Sequence, residues 1–366
     1  MKKTALIFYQ GDWPAGGLWR YGYSLAQEYL RLDKENDYSI IHGKNIPENF
    51  LGLENQEKIL PLSNWEKMLL LPKILEKEKF DVVHVTENAC PLFGGKKYRK
   101  IANIHDLMPL SFPQAVDYKT YLYYRFYLPR ALKRVDAIIT PSSYSKNDLI
   151  NFYGIESEKI KVIYYGIASS FFEPVTNEQL FDFKQYYKIS EPFILSVSGI
   201  NFRKNLITVF EAYRLLPANI KKEFKIYLVG KAEKDAEETI GLIKKLDLEK
   251  FVRVFGEVPE KDLVFFYKLA SVFVFPSLHE GFGFPPLEAM AVGCPVVSSN
   301  ATCLPETLGD AALLLSPGDI LNWRDALVGV LSDHRFSQDL IIKGKKKAKE
   351  FGWEKSAREH LNLYYP

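Results

Sequence analysis

The sequence predicts an α/β protein built from two parallel-sheet halves, and three observations lead there. At 366 residues the chain exceeds one ordinary core of roughly 100–200 residues, so two domains are expected. Short apolar runs rich in β-formers alternate with longer amphipathic stretches, which is the rhythm of strand-helix-strand units covering both faces of a parallel sheet. That rhythm stops near residue 166 and resumes near residue 192.

In the first half the strand candidates are residues 4–9, 38–41, 81–85, 100–104, 137–140 and 160–165; LWRYGYSLAQEYLRL is a helical pattern between the first two. In the second half they are 192–198, 224–230, 251–256, 271–277, 295–299 and 311–316. Polar and proline punctuation places a linker at about 166–175. The expected domains are therefore 1–170 and 171–350, with 351–366 a final helix anchored by Trp353 and Tyr364.

Composition sets limits on function. Hydrophobic residues are 47% and charged residues 25%, and no apolar run approaches the roughly 20 residues of a spanning helix, which excludes disorder and membrane spans. Forty-eight Lys and Arg against 45 Asp and Glu give net +3, too mild for sustained contact with a nucleic-acid backbone. Cys90, Cys294 and Cys303 have no metal-type spacing and point to a reducing compartment, and the short apolar run after Met1 reads as a strand rather than a signal peptide. A cytoplasmic protein is expected, with any basic character local.

Ligands of open parallel sheets collect beyond the carboxyl ends of the strands. There the most informative segment is SLHEGFGFPPLEAMAVGCPVV, following the strand SVFVFP. Gly281 and Gly283 allow close backbone approach, Pro285 or Pro286 suits a first helical turn, and the helix should end near Gly293. Glu280 in the loop and Glu288 near the first turn can then serve one polyhydroxylated or anionic ligand, or be a solvated carboxylate and a dipole partner. In SVSGINFRKN, Asn205 is expected as the N-cap of the next helix, with Arg203 and Lys204 just ahead of it. His105 and Asp106 follow a strand of the first half, while His84 and His279 read as structural. Gly16 and Gly17 precede the first helix, either as a tight turn or as a place where amides meet a phosphate. Tyr21 and Trp19 either line a ligand or belong to the core.

Glu280 and Glu288, with seven residues between them in HEGFGFPPLEAMAVGCPVVSSN, resemble the Glu-x7-Glu signature of retaining glycosyltransferase family four. Similar patterns at SVSGINFRKN, IHDLMPLSFP, GGLWRY and ATCLPETLGDAALLLSPGD extend the resemblance over most of the chain, and SNATCLPETLGD is similar to a variant of mannosyltransferase-like relatives. The resemblance implies the GT-B fold, two Rossmann-like parallel-sheet domains facing across a cleft, with acceptor bound by the first, nucleotide-sugar donor by the second, and the last helix, 351–366, crossing back to the first. It implies Glu280 on the sugar hydroxyls, Glu288 on the ribose, Gly281, Phe282, Gly283 and Phe284 around the sugar, and Arg203 and Lys204 on the diphosphate. His105 would hydrogen-bond near the reacting sugar, Gly16 and Gly17 would approach a phosphate, and the loop at Val258 would meet the base.

The expected function is a metal-independent retaining hexosyltransferase, with mannose from GDP-mannose first and UDP sugars next, in surface polysaccharide or lipopolysaccharide assembly. It needs no cofactor beyond this co-substrate. Its acceptor would be a glycan or lipid-linked glycan. Two other readings stand beside it, a nucleotide-sugar epimerase of the same fold and a non-catalytic nucleotide-sugar binder. The basic, aromatic stretch TYLYYRFYLPRALKRVD either packs on the sheet or meets a membrane interface, the inner face of the cytoplasmic membrane in this setting.

Overall fold

Every apolar run singled out above forms a strand in the computed structural model, which describes residues 1–8, 17–42, 57–60, 64–92, 97–233 and 236–365. Gly16 lies outside the described residues. The chain divides into two units, one made of Met1–Gly166 with Phe351–Pro366 and the other of Ile167–Glu350.

The first unit contains β1 (Lys3–Phe8), β2 (Asp37–His42), β3 (Glu57–Ile59), β4 (Val82–Val85), β5 (Arg99–Asn103), β6 (Ala137–Thr140) and β7 (Ile160–Val162). They form one sheet in the order β3-β2-β1-β4-β5-β6-β7, and every pairing is parallel. β3 was not foreseen, because a three-residue edge strand reading Glu-Lys-Ile shows neither an apolar run nor alternation. Val83, Val85, Ala102, Ile104 and Ile138 are buried in the core of this unit beside Leu128, Leu132 and Leu149. Each large apolar side chain so buried stabilises the fold by roughly 1.5–3 kcal/mol.

The segment 118–134 is half core and half surface. It runs as helix Tyr118–Leu122, a π-helical turn Tyr123–Tyr127 and helix Leu128–Leu132. Tyr124, Leu128, Ala131 and Leu132 are buried, whereas Tyr118 and Phe126 are exposed beside Lys119, Arg125 and Arg130. No helix among the described residues is long and apolar enough to cross a membrane.

The second unit contains β8 (Phe193–Val197), β9 (Lys225–Val229), β10 (Val252–Gly256), β11 (Val272–Phe275), β12 (Val296–Ser299) and β13 (Leu313–Leu315), again all parallel, in the order β10-β9-β8-β11-β12-β13. Its core joins Ile194, Ile226, Val272, Val274 and Val297 to Val209, Phe210, Trp323 and Leu327 from the flanking helices. In the stretch expected as a linker, a 3-10 turn Ser169–Phe172 buries Phe171, whose ring meets that of Tyr267 with centroids 6.0 Å apart.

The helix Trp353–Tyr364 returns to the first unit and is fastened there by buried polar groups. Tyr364 bonds through its hydroxyl to Tyr29 at 2.9 Å and to His84 Nδ1, while His84 Nε2 meets Asn103 Oδ1 at 2.6 Å. His360 Nδ1 lies 2.7 Å from the Ser356 carbonyl, which can only accept, so that nitrogen carries the proton and Nε2 accepts from Tyr21 at 2.9 Å. Tyr21 is therefore a core residue rather than an acceptor-lining one. The fit is tight enough that a Cβ on Gly166 would sit 2.3 Å from the Trp353 amide nitrogen.

Candidate functional site

Where strand order reverses in an open parallel sheet, the loops leaving the two central strands diverge and open a crevice. In the second unit that point lies between β8 and β11, whose exits carry the SVSGINFRKN and SLHEGFGF segments. Topology thus brings Arg203, Lys204 and Glu280 together although about 75 residues separate them in the chain.

β8 leads into a 3-10 turn, Phe202–Lys204, capped by Asn201, whose Oδ1 accepts from the Lys204 amide at 3.1 Å. Asn205 stands at the N-cap position of the next helix, Leu206–Arg214, as expected. It takes a left-handed conformation (φ 52°), makes no side-chain cap, and spends its amide on the carbonyls of Pro276 (3.1 Å) and Pro317 (3.0 Å). Asn205 braces the turn from behind instead.

Glu280 collects the donors. Its Oε1 accepts from Lys204 Nζ at 2.6 Å, Arg203 Nη1 at 2.9 Å and Ser277 Oγ at 2.5 Å. Arg203 Nη1 also donates to the His279 carbonyl at 2.6 Å, and the Glu280 amide donates to Thr302 Oγ1 at 3.1 Å. Glu280 Oε2 makes no hydrogen bond among the described residues. Burial alone would raise the Glu280 pKa, but Lys204 and Arg203 outweigh it and hold the carboxyl down at about 2. Burial is also the main force on Lys204, whose pKa falls, with Arg203 adding to the fall and Glu280 opposing it. Two nearly buried cations therefore share one carboxylate, and Glu233 adds a second negative charge within electrostatic reach of Lys204.

After β11 the chain enters a helix, Phe284–Val292, with Pro285 and Pro286 in its opening turn and left-handed glycines at both ends, Gly283 (φ 92°) and Gly293 (φ 93°). Glu288 falls at the start of the second turn. It is buried, at 2% exposure, and accepts from the Tyr267 hydroxyl at 3.0 Å. Gly281, Phe282 and Gly283 are buried around the loop, and the Phe282 ring meets that of Phe284 edge-on at 5.1 Å. Val258 is half-buried between β10 and the helix Glu260–Leu269.

In the first unit, His105 follows β5 and is buried, with Nε2 2.9 Å from the Thr86 carbonyl and Nδ1 bonded to the Tyr165 hydroxyl. Nε2 therefore carries the proton, and both ring nitrogens are engaged inside the unit. Burial lowers its pKa to about 4, so the ring is neutral near pH 7. Gly17, exposed, opens the helix Gly17–Leu32. Sequence reasoning missed Ser277, Thr302, Asn201 and Tyr267, which hold the charged residues in place. Thr302 and Tyr267 act on partners 22 and 21 residues away, and a lone Ser or Asn three residues from its partner, as Ser277 and Asn201 are, has no local signature.

The segment 178–347 matches a family model described as "Glycosyl transferases group 1", and 15–171 matches one described as "Glycosyltransferase Family 4". O-antigen chain mannosyltransferase B of Escherichia coli is 26% identical over 368 residues, covering 96% of each chain. The serotype-specific mannosyltransferase WbdA of Escherichia coli is 30% identical over 275 residues, which is 73% of this chain and 33% of that one. The crystal structure of Anabaena HepE in complex with UDP and glucose superposes with a TM-score of 0.78 at 18% identity, over 99% of both chains. Two glycosyltransferase models that between them take in most of the sequence, together with the two parallel sheets, lead to one conclusion: the chain belongs to the glycosyltransferases of the GT-B fold.

Proposed function

We propose that the protein is a retaining hexosyltransferase that passes a sugar, mannose first among the candidates, from a nucleotide donor to a hydroxyl of a growing surface glycan. The observation that carries this reading is the division of labour on Glu280, where Oε1 is taken by two cations and a serine and Oε2 is left for a ligand. An ionised carboxylate only accepts, which suits the vicinal hydroxyls of a sugar. Arg203 and Lys204 then stand beside it as partners for the diphosphate, whose charge grows as the glycosidic bond breaks. That role needs no metal, and activity insensitive to EDTA is expected. Glu288 would take the ribose, Phe282 and Phe284 would shape the sugar pocket, and the Val258 loop would meet the base.

For His105 the reading requires Nε2–H to turn from the Thr86 carbonyl to a sugar hydroxyl. Being neutral, the ring acts as a hydrogen-bond donor and not as a general acid. Retention fits front-face attack, in which a leaving phosphate oxygen takes the acceptor proton. Glu280 makes a poor covalent nucleophile, because its charge is already spread over three donors.

GDP-mannose is the first donor to try, since the relative of nearly equal length is named a mannosyltransferase, and UDP-glucose is second, since HepE was solved with UDP and glucose. The exposed Tyr118 and Phe126 among Lys119, Arg125 and Arg130 support docking at an anionic membrane surface, where a lipid-linked acceptor would be met. Sedimentation with anionic vesicles at low salt, lost at high salt, tests that part.

The activity itself is tested by incubating the protein with a panel of nucleotide sugars. Slow release of nucleoside diphosphate, and an α-linked product by NMR once an acceptor is supplied, are expected. A changed sugar on an intact diphosphate would point to an epimerase, and binding without turnover to a non-catalytic binder.

A further inference from the structure

Beyond their last paired residues, β8 and β9 stay joined. Ile200 and Ala232 form one more parallel bridge, the Ile200 amide donates to the Lys231 carbonyl at 2.8 Å, and the Glu233 amide donates to the Ile200 carbonyl at 3.2 Å. Glu233 adds a side-chain tie, its Oε2 accepting from Asn201 Nδ2 at 2.7 Å. Asn201 is 6% exposed and works in both directions, since its Oδ1 receives the Lys204 amide. A carboxylate only accepts, so Glu233 fixes which end of the Asn201 amide faces Lys204. Gly199 is the third member. A Cβ there would lie 2.0 Å from Glu233 Oε1 and 2.9 Å from Cδ, so the carboxylate occupies space that any other residue at 199 would fill.

We infer that Glu233 is a positioning residue for sugar transfer. Acting through Asn201 and without touching substrate, it holds the Phe202–Lys204 turn in the shape that presents Arg203 and Lys204 to a diphosphate. The inference rests on the reading of those two cations as the diphosphate partners, and it adds a residue from a neighbouring strand exit to their support. The tie has a consequence an ordinary surface hydrogen bond lacks. Removing Glu233, or displacing it with a methyl group on Gly199, should disturb the same turn, and doing both should do no more than either.

The test uses full-length Glu233→Ala, Glu233→Gln, Gly199→Ala and the Gly199→Ala/Glu233→Ala double variant, with Lys204→Ala as the control for the site. Affinities for UDP, GDP and ADP are measured by calorimetry and for the matching nucleosides by competition, with thermal midpoints confirming the fold. Expected for Glu233→Ala is a loss of about tenfold in diphosphate affinity with nucleoside affinity unchanged, the scale of one hydrogen bond to a charged group. Glu233→Gln should stay near wild type, because its carbonyl oxygen still accepts from Asn201. Gly199→Ala should match Glu233→Ala, and the double variant should be no worse. Wild-type diphosphate affinity in folded Glu233→Ala or Gly199→Ala, or equal losses of diphosphate and nucleoside, would overturn the inference while a defective Lys204→Ala keeps the site assignment. An unaffected Lys204→Ala, or a wild type that binds none of the three diphosphates, would overturn that assignment and this inference with it.

Discussion

At the scale of single residues, the candidate site centres on Lys204 and Glu280. Lys204 Nζ sits 2.6 Å from Glu280 and 5.2 Å from the centre of the Phe275 ring, with its side chain 11% exposed. A charge so held is already oriented for a developing anion, and Lys204→Ala should lower kcat by a factor on the order of 100 in steady-state assays. Glu288→Gln should weaken donor binding by about tenfold, read as a rise in KM with kcat little changed, since an amide replaces the buried carboxyl proposed to hold the ribose. At this scale the sequence was informative where chemistry is concentrated: Arg203, Lys204 and Glu280 stood out in their motifs before any coordinates. It was silent on Ser277 and Tyr267, a hydroxyl beside Glu280 and another beneath Glu288. The His105 ring bonds inward for the same reason, because Thr86 and Tyr165 reach it from distant parts of the chain.

Among elements, the helix Trp353–Tyr364 shows most clearly how packing fixes chemistry. Tyr364→Phe leaves both His84 Nδ1 and the Tyr29 hydroxyl short of a partner in a dry setting, and should cost about 1–3 kcal/mol in urea unfolding. Burial lowers the pKa of His84 to about 3, with His360 assisting, and those of His105 and His360 to about 4. Unfolded histidines titrate near ~6.5, so the unfolded state binds more protons once pH drops below that value. The stability these three contribute is full above about 6.5 and is lost as pH falls through about 4 for His105 and His360 and about 3 for His84, on the order of 3 kcal/mol for each. Asp148 works against this trend. Burial, then Asp106, raises its carboxyl to about 6, and its contribution is lost as pH rises from near ~4 through that value. Three groups against one predict a thermal midpoint that declines between pH 7 and 4.5, checked by calorimetry. Element boundaries were less legible than element existence. Asn205 holds the N-cap position as expected but lends the helix no side-chain bond, and a 3-10 turn with its own cap, Asn201, precedes it. Glu288 lies near the first turn as expected, at the start of the second.

On the scale of the whole molecule, the two parallel sheets were readable from the alternation of short β-rich runs with amphipathic stretches, since strands buried on both faces are nearly continuous in apolar residues. The return of the last helix to the first unit was implied by the family resemblance and not by periodicity, because what ties Phe351–Pro366 to the N-terminal sheet is a set of tyrosines and histidines without periodic pattern. A fragment spanning Ile167–Glu350 has its own sheet and core and should unfold cooperatively by circular dichroism. Residues Met1–Gly166 alone should not, and adding the peptide Phe351–Pro366 in trans should restore the transition. The discontinuity of the first unit bears on biosynthesis. While the ribosome is still threading out Ile167–Glu350, Tyr21, Tyr29 and His84 wait without their covering helix, so of the two units the one begun earlier is completed later and has the greater need of a chaperone's shelter.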